Sequence, residues 1–126
     1  MGALSLILIV EDEPSLRGLL ARILEAEGYE VAQAANGAQA LAALRTLRPA
    51  AVLLDLVLPD VDGWQVLRSS QQLAARRPPI LVAAANLTSR DIVCLRRLGA
   101  RAWFEKPFDL DDLLATLARL VATPIS

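Results

Sequence analysis

Five short apolar runs, separated by amphipathic stretches of helical period, constrain this chain more than any other feature it carries. The runs are Leu4–Val10, Tyr29–Ala34, Ala51–Asp55, Ile80–Ala84 and Ala102–Glu105, lengths that suit strands rather than helices. Helical patterns fall between them at Pro14–Glu27, Gly37–Leu47, Gly63–Ala75, Ser89–Leu98 and Leu110–Ala122. The first, third and fourth runs are almost uninterruptedly apolar, as central parallel strands covered on both faces must be. The second alternates, Tyr-Glu-Val-Ala-Gln-Ala, and predicts an edge strand. Strict alternation of strand and helix implies an α/β fold with right-handed crossovers: a doubly wound five-stranded parallel sheet with five helices, in three layers. Chemistry in such a sheet collects at the carboxyl ends of the strands, near the reversal in strand order.

Punctuation supports these limits. Pro14 suits a first helical turn, and Gly28 and Gly99 the positions just past helix ends. Asp62 is placed to cap the third helix and Asp109 the fifth. Leu16, Leu19, Leu20, Ile23 and Leu24 recur at helical spacing and predict a buried stripe. Arg76-Arg77-Pro78-Pro79 reads as a solvated loop leading into the fourth strand.

Composition then narrows the function classes. At 126 residues the chain suits one domain, and 55% apolar against 21% charged residues excludes a disordered tail. A formal net charge of −1 advertises neither nucleic acid nor an anionic membrane as partner. No apolar run is long enough to span a bilayer, and no signal peptide is recognisable. The single cysteine, Cys94, cannot close an internal disulfide and reads as a small buried or half-buried apolar side chain. The absence of histidine removes the commonest general base and any role as a histidine-bearing phosphodonor. These features describe a cytoplasmic single domain over residues 1–126, whose Thr-Pro-Ile-Ser end is either natural or a cut before an effector domain.

The acidic residues at the strand ends are the specific feature. The first strand runs into Glu11, Asp12 and Glu13, and the third ends on Asp55. With strand order 2-1-3-4-5 those two strands are neighbours, about 4.8 Å apart, so Glu11, Asp12 and Asp55 meet at one rim. Carboxylates that close repel unless a cation joins them. A hard, oxygen-liganded divalent ion fits, magnesium first and manganese as the alternative. Lys106, ending the fifth strand, can reach the same rim and hold a phosphoryl oxygen. A metal and an ammonium bracketing one carboxylate make a phosphoryl-transfer site. Glu13 is assigned to the helix start, and Asp60 and Asp62 to the turn and the helix cap.

Three segments carry a family resemblance: Ile-Leu-Ile-Val-Glu-Asp-Glu-Pro-Ser-Leu-Arg, Leu-Leu-Asp-Leu-Val-Leu-Pro-Asp-Val-Asp-Gly, and Glu-Lys-Pro-Phe. Together they resemble the signatures of two-component response-regulator receiver domains of the CheY type, a flavodoxin-like fold. The resemblance implies Asp55 as phospho-acceptor and Asp12 as direct metal ligand. It makes Glu11 a metal-site carboxylate acting through water, and Val57 a ligand through its backbone carbonyl. Lys106 would bind the phosphoryl group, Lys106–Pro107 would be a cis peptide, and Trp103 would be the switch aromatic. The partners it implies are a sensor histidine kinase or a histidine phosphotransfer protein, with an unidentified output partner or effector domain.

One departure stands out. Ala84 stands where the family carries a Thr or Ser hydroxyl that contacts the phosphoryl group, and Thr88 and Ser89 are poor substitutes. Phosphorylation is then expected to survive while coupling to Trp103 weakens. The alternative is a non-phosphorylated adaptor of the same fold. A metal-dependent phosphatase with an aspartyl nucleophile would want a second acid at Val57. A flavin or dinucleotide site would want glycines or hydroxyls after the first strand, where this chain has three acids. Arg90, Arg96, Arg97, Arg101 and Trp103 mark the output surface, which is otherwise a solvated face. Trp64 is expected to pack against the sheet.

Overall fold

A computed structural model describes residues 4–122, so the Thr-Pro-Ile-Ser end lies outside the described residues. Strands β1 (Leu6–Val10), β2 (Glu30–Ala34), β3 (Ala51–Asp55), β4 (Ile80–Ala84) and β5 (Ala102–Glu105) form one parallel sheet in the order β2-β1-β3-β4-β5. Every residue of β3 and β4 is buried, as are all of β1 but its first, whereas β2 shows the half-exposed pattern of an edge.

Five helices cover the sheet: α1 (Pro14–Ala26), α2 (Gly37–Thr46), α3 (Gly63–Ser70), α4 (Ser89–Arg97) and α5 (Leu110–Ala122). Alternation along the strands divides the core in two. Ile7, Ile9, Leu53 and Leu81 pack with Leu20 and Leu24 of α1 and Leu113 and Leu117 of α5. Leu8, Val10, Leu54 and Val82 pack on the other face with Leu44 of α2, Val66 and Leu67 of α3 and Leu95 of α4. Period two in the strands thus meets period 3.6 in the helices.

The caps follow the sequence. Glu13 accepts hydrogen bonds from Ser15 N and Leu16 N at the start of α1, with Pro14 in the first turn. Asp62 caps α3 and Asp109 caps α5. Gly28 and Gly99 take the left-handed conformation just past α1 and α4, with φ of 99° and 86°.

Four expectations need correction. The third helix does not run to residue 75: α3 ends at Ser70 and a 3-10 segment (Gln71–Arg76) follows, with Ala74 at φ 54°. Ser70 Oγ donates to the Leu67 carbonyl at 2.6 Å, and Arg77 donates to Ser70 Oγ at 2.9 Å, so side chains occupy the helix end. Arg77 is therefore no solvated loop residue. Its guanidinium also donates to the Leu98 carbonyl at 2.7 Å, tying the end of α3 to the end of α4. Burial there pulls its pKa down. Of the leucine stripe, Leu19 is 46% exposed. Cys94 is exposed as well.

Candidate active site at the carboxyl ends of the strands

Register builds the site. Val10 pairs with Leu54 and Asp55 with Ala83, so the residues leaving β1 stand beside the last residue of β3. The site needs Gly63 at the start of α3. A Cβ there would overlap the Asp55 carbonyl oxygen and the Leu56 Cα, and the Gly63 N–H donates to the Leu56 carbonyl at 2.9 Å. The loop after β3 can fold back this tightly only without a side chain at that position.

Glu11, Asp12 and Asp55 each present a carboxylate oxygen, and these lie within 4.8 Å of one another. Glu11 and Asp55 are buried and Asp12 is exposed. Lys106 Nζ donates to Glu11 Oε1 at 2.9 Å and to Asp55 Oδ2 at 3.0 Å. Asp55 Oδ1 accepts the Val57 N–H at 3.0 Å, and Glu11 Oε2 accepts the Glu13 N–H at 3.2 Å. Both oxygens of each buried carboxylate are thereby oriented. Arg17 steadies the first loop from α1 by donating to the Glu11 carbonyl at 2.8 Å.

Burial pushes the Glu11 carboxyl above its ordinary range, against the pull of its bonds to Lys106 and the Glu13 N–H. Burial lowers Lys106, but its bonds to Glu11 and Asp55 outweigh that, and its net shift is upward. The pair therefore holds the ammonium charged. Of the chain's 13 basic residues this one alone is lysine. A compact ammonium on a flexible stem suits a narrow slot between two carboxylates better than a planar guanidinium does.

An acidic, oxygen-only cluster with one ammonium suits a hard divalent cation, which takes carboxylate and carbonyl oxygens and keeps waters. The other site candidates lie nearby. Val57 is 71% exposed, and its N–H, not only its carbonyl, belongs to the Asp55 loop. The Lys106–Pro107 peptide is cis. Ala84 is 3% exposed and its carbonyl accepts the Lys106 N–H at 2.8 Å. Trp103 packs on the same core as Ala84, with the Arg96 guanidinium 5.6 Å from its ring centroid. The Thr88 hydroxyl oxygen caps α4 by accepting the Asp91 N–H at 3.0 Å. Trp64 is half-buried against the same core, as expected.

Sequence alone places Asp60 in a local turn, but the structure gives it a distant task. Its two oxygens accept the Gly37 and Ala38 N–H groups at 2.8 and 3.0 Å, so the β3–α3 loop caps α2. These backbone bonds outweigh its desolvation and lower its pKa. No local signal could have found this partner. Sequence spacing reads helix caps within one element, not between two.

Comparison with known proteins agrees with this geometry. Residues 7–118 match the family described as the response regulator receiver domain. The "DNA-binding response regulator MtrA" of Mycolicibacterium smegmatis is 41% identical over 115 residues, which cover 90% of this chain and 50% of that protein. The "Transcriptional regulatory protein TrcR" of Mycobacterium tuberculosis is 36% identical over 91% of this chain and 44% of its own length. The chain thus spans about half the length of these curated relatives. Among solved structures, the receiver domain of sensor histidine kinase PA1611 from Pseudomonas aeruginosa, with magnesium in its active-site cleft, superposes with a TM-score of 0.85. It is 31% identical, over 96% of this chain and all 100% of that one. A CheY-like receiver domain protein from Methanospirillum hungatei gives a TM-score of 0.88 at 29% identity, over 94% of each chain. By fold, by sequence and by the residues gathered at its strand ends, this chain belongs to the response-regulator receiver-domain family of two-component signalling.

Proposed function

We propose that this chain works as a phospho-accepting switch, with Asp55 taking a phosphoryl group from the phosphohistidine of a sensor kinase or histidine phosphotransfer protein. The observation that carries this reading is the Lys106 ammonium joined to both Asp55 and Glu11, with Asp12 beside them. An Asp55 carboxylate oxygen bonds to phosphorus as the bond from phosphorus to the donor's imidazole nitrogen breaks, giving an acyl phosphate. Lys106 holds a phosphoryl oxygen, and the Val57 N–H keeps the carboxylate turned toward it. Asp12, Asp55 and the Val57 carbonyl would hold magnesium directly and Glu11 through water, with manganese as a substitute. The ion supplies charge neutralisation among the acids. Slow hydrolysis of the acyl phosphate resets the switch.

An apolar groove of about 470 Å³ adjoins Lys106, lined by Leu16, Leu19 and Ile23 of α1 and by Phe108 and Leu110. Its place beside the phosphoryl site, and the exposed Leu19, suit it to seat the donor protein. Ala84 lacks the hydroxyl that would pull its loop onto the phosphoryl group, so output through Trp103 is weak or rerouted to a partner or effector domain. Among the described residues no helix is long and apolar enough to cross a membrane, and the pathway proposed is cytoplasmic. The test is intact-mass analysis after treatment with acetyl phosphate and magnesium. One phosphoryl group is expected on the native chain and none on Asp55→Ala. Labelling of Asp55→Ala, or none of the native chain, overturns the proposal.

A further inference from the structure

A second groove lies between α3 and α4, and none of the clustered carboxylates lines it. It has a volume of about 370 Å³, and its lining includes Trp64, Cys94 and Leu98 together with Arg68, Arg90 and Arg97. Arg90 and Arg97 are exposed and make no ion pair among the described residues, and Arg68 reaches only Gln65 Oε1 at 3.4 Å. The one acid in the lining, Asp91, already accepts the Thr88 N–H at 3.0 Å. An apolar lining with exposed guanidiniums that make no ion pair among the described residues points to an occupant with an apolar face and carboxylates flanking it.

Spacing narrows the choice. Arg90 and Arg97 stand two turns apart on α4, about 10 Å. A helix laid along the groove matches this when it carries acidic residues two turns apart with apolar residues between them. We infer that the α3–α4 groove docks an acidic amphipathic helix of another protein, with Arg90 and Arg97 reading its carboxylates and Trp64 and Leu98 its apolar face. A second copy of this chain does not fit, because among the described residues no helix carries two acidic residues at that spacing. A nucleotide fits poorly, because the lining offers no unengaged carboxylate or amide to read a base edge. The inference is independent of phosphoryl chemistry at Asp55.

The experiment uses the whole ¹⁵N-labelled chain and a synthetic helical peptide with two glutamates two turns apart and leucines between them. Chemical shifts are expected to move at the Trp64 indole N–H and along α4. Binding should weaken about ten-fold in the Arg90→Gln/Arg97→Gln double variant, the loss of two exposed ion pairs, and should persist in Arg101→Gln. Phosphoryl uptake should be the same in all three proteins, which separates this inference from the one above. Absence of groove shifts at millimolar peptide would sink it. So would equal loss in Arg101→Gln, or equal shifts with ATP or a DNA duplex.

Discussion

Replacing Lys106 by methionine tests the charge balance of the site most directly. The substitution keeps most of the side chain's length and apolar stem and removes only the ammonium. In the native chain that ammonium lies 2.9 Å from Glu11 and 3.0 Å from Asp55, whose side chains are 5% and 8% exposed. Without it, two buried carboxylates and Asp12 remain within 4.8 Å with no cation among them. Removing one partner of a buried pair costs about 3–5 kcal/mol. Lys106 itself is 24% exposed, so the lower end, about 3 kcal/mol, is expected. That is a large part of the ~5–15 kcal/mol that holds a domain folded. Urea unfolding followed by tryptophan fluorescence, in buffer with a chelator, measures the loss. Added magnesium should then stabilise Lys106→Met more than the native chain, by about 1.4 kcal/mol for each ten-fold gain in affinity. A loss below about 1 kcal/mol with chelator, the range of a surface pair, would refute the reasoning. Equal stabilisation of both proteins by magnesium would refute it too.

Three further outcomes are expected. Ala84→Thr restores a hydroxyl worth about 1.5–3 kcal/mol toward a charged group, so the Trp103 fluorescence change with beryllium fluoride should exceed that of the native chain in a Trp64→Phe background; equal responses count against weakened coupling at Ala84. Arg77→Met removes the bonds to Ser70 and to the Leu98 carbonyl and should cost about 1–3 kcal/mol in urea unfolding, with the ends of α3 and α4 losing hydrogen-exchange protection first. Asp60→Ala should lower the thermal midpoint at neutral pH. Because folding depresses the Asp60 pKa, its contribution is complete above the ordinary 3.8 and fades as pH falls through the lower folded value; a gap between the two proteins that stays constant through that range contradicts the interhelix cap.

The buried central strands, the strand–helix alternation and the gathering of strand ends at one rim could be read from apolar period and chain order. The order β2-β1-β3-β4-β5, which makes neighbours of the strands before Asp12 and at Asp55, came with the family resemblance and not from the period. A strand must bury alternate residues, a parallel neighbour must be reached by a crossover, and whatever follows the strands must then share one rim. The caps by Glu13, Asp62 and Asp109 are equally local, since each bonds to N–H groups two or three residues on. The tertiary structure alone decided the rest. Asp60 bonds residues 22 and 23 positions away, and Arg77 one that is 21 away. Leu19 follows the helical spacing of its neighbours yet faces the groove beside Lys106. A pattern records how often a side chain returns to one face; what lies opposite that face depends on how the elements pack, and no spacing within one element carries that information.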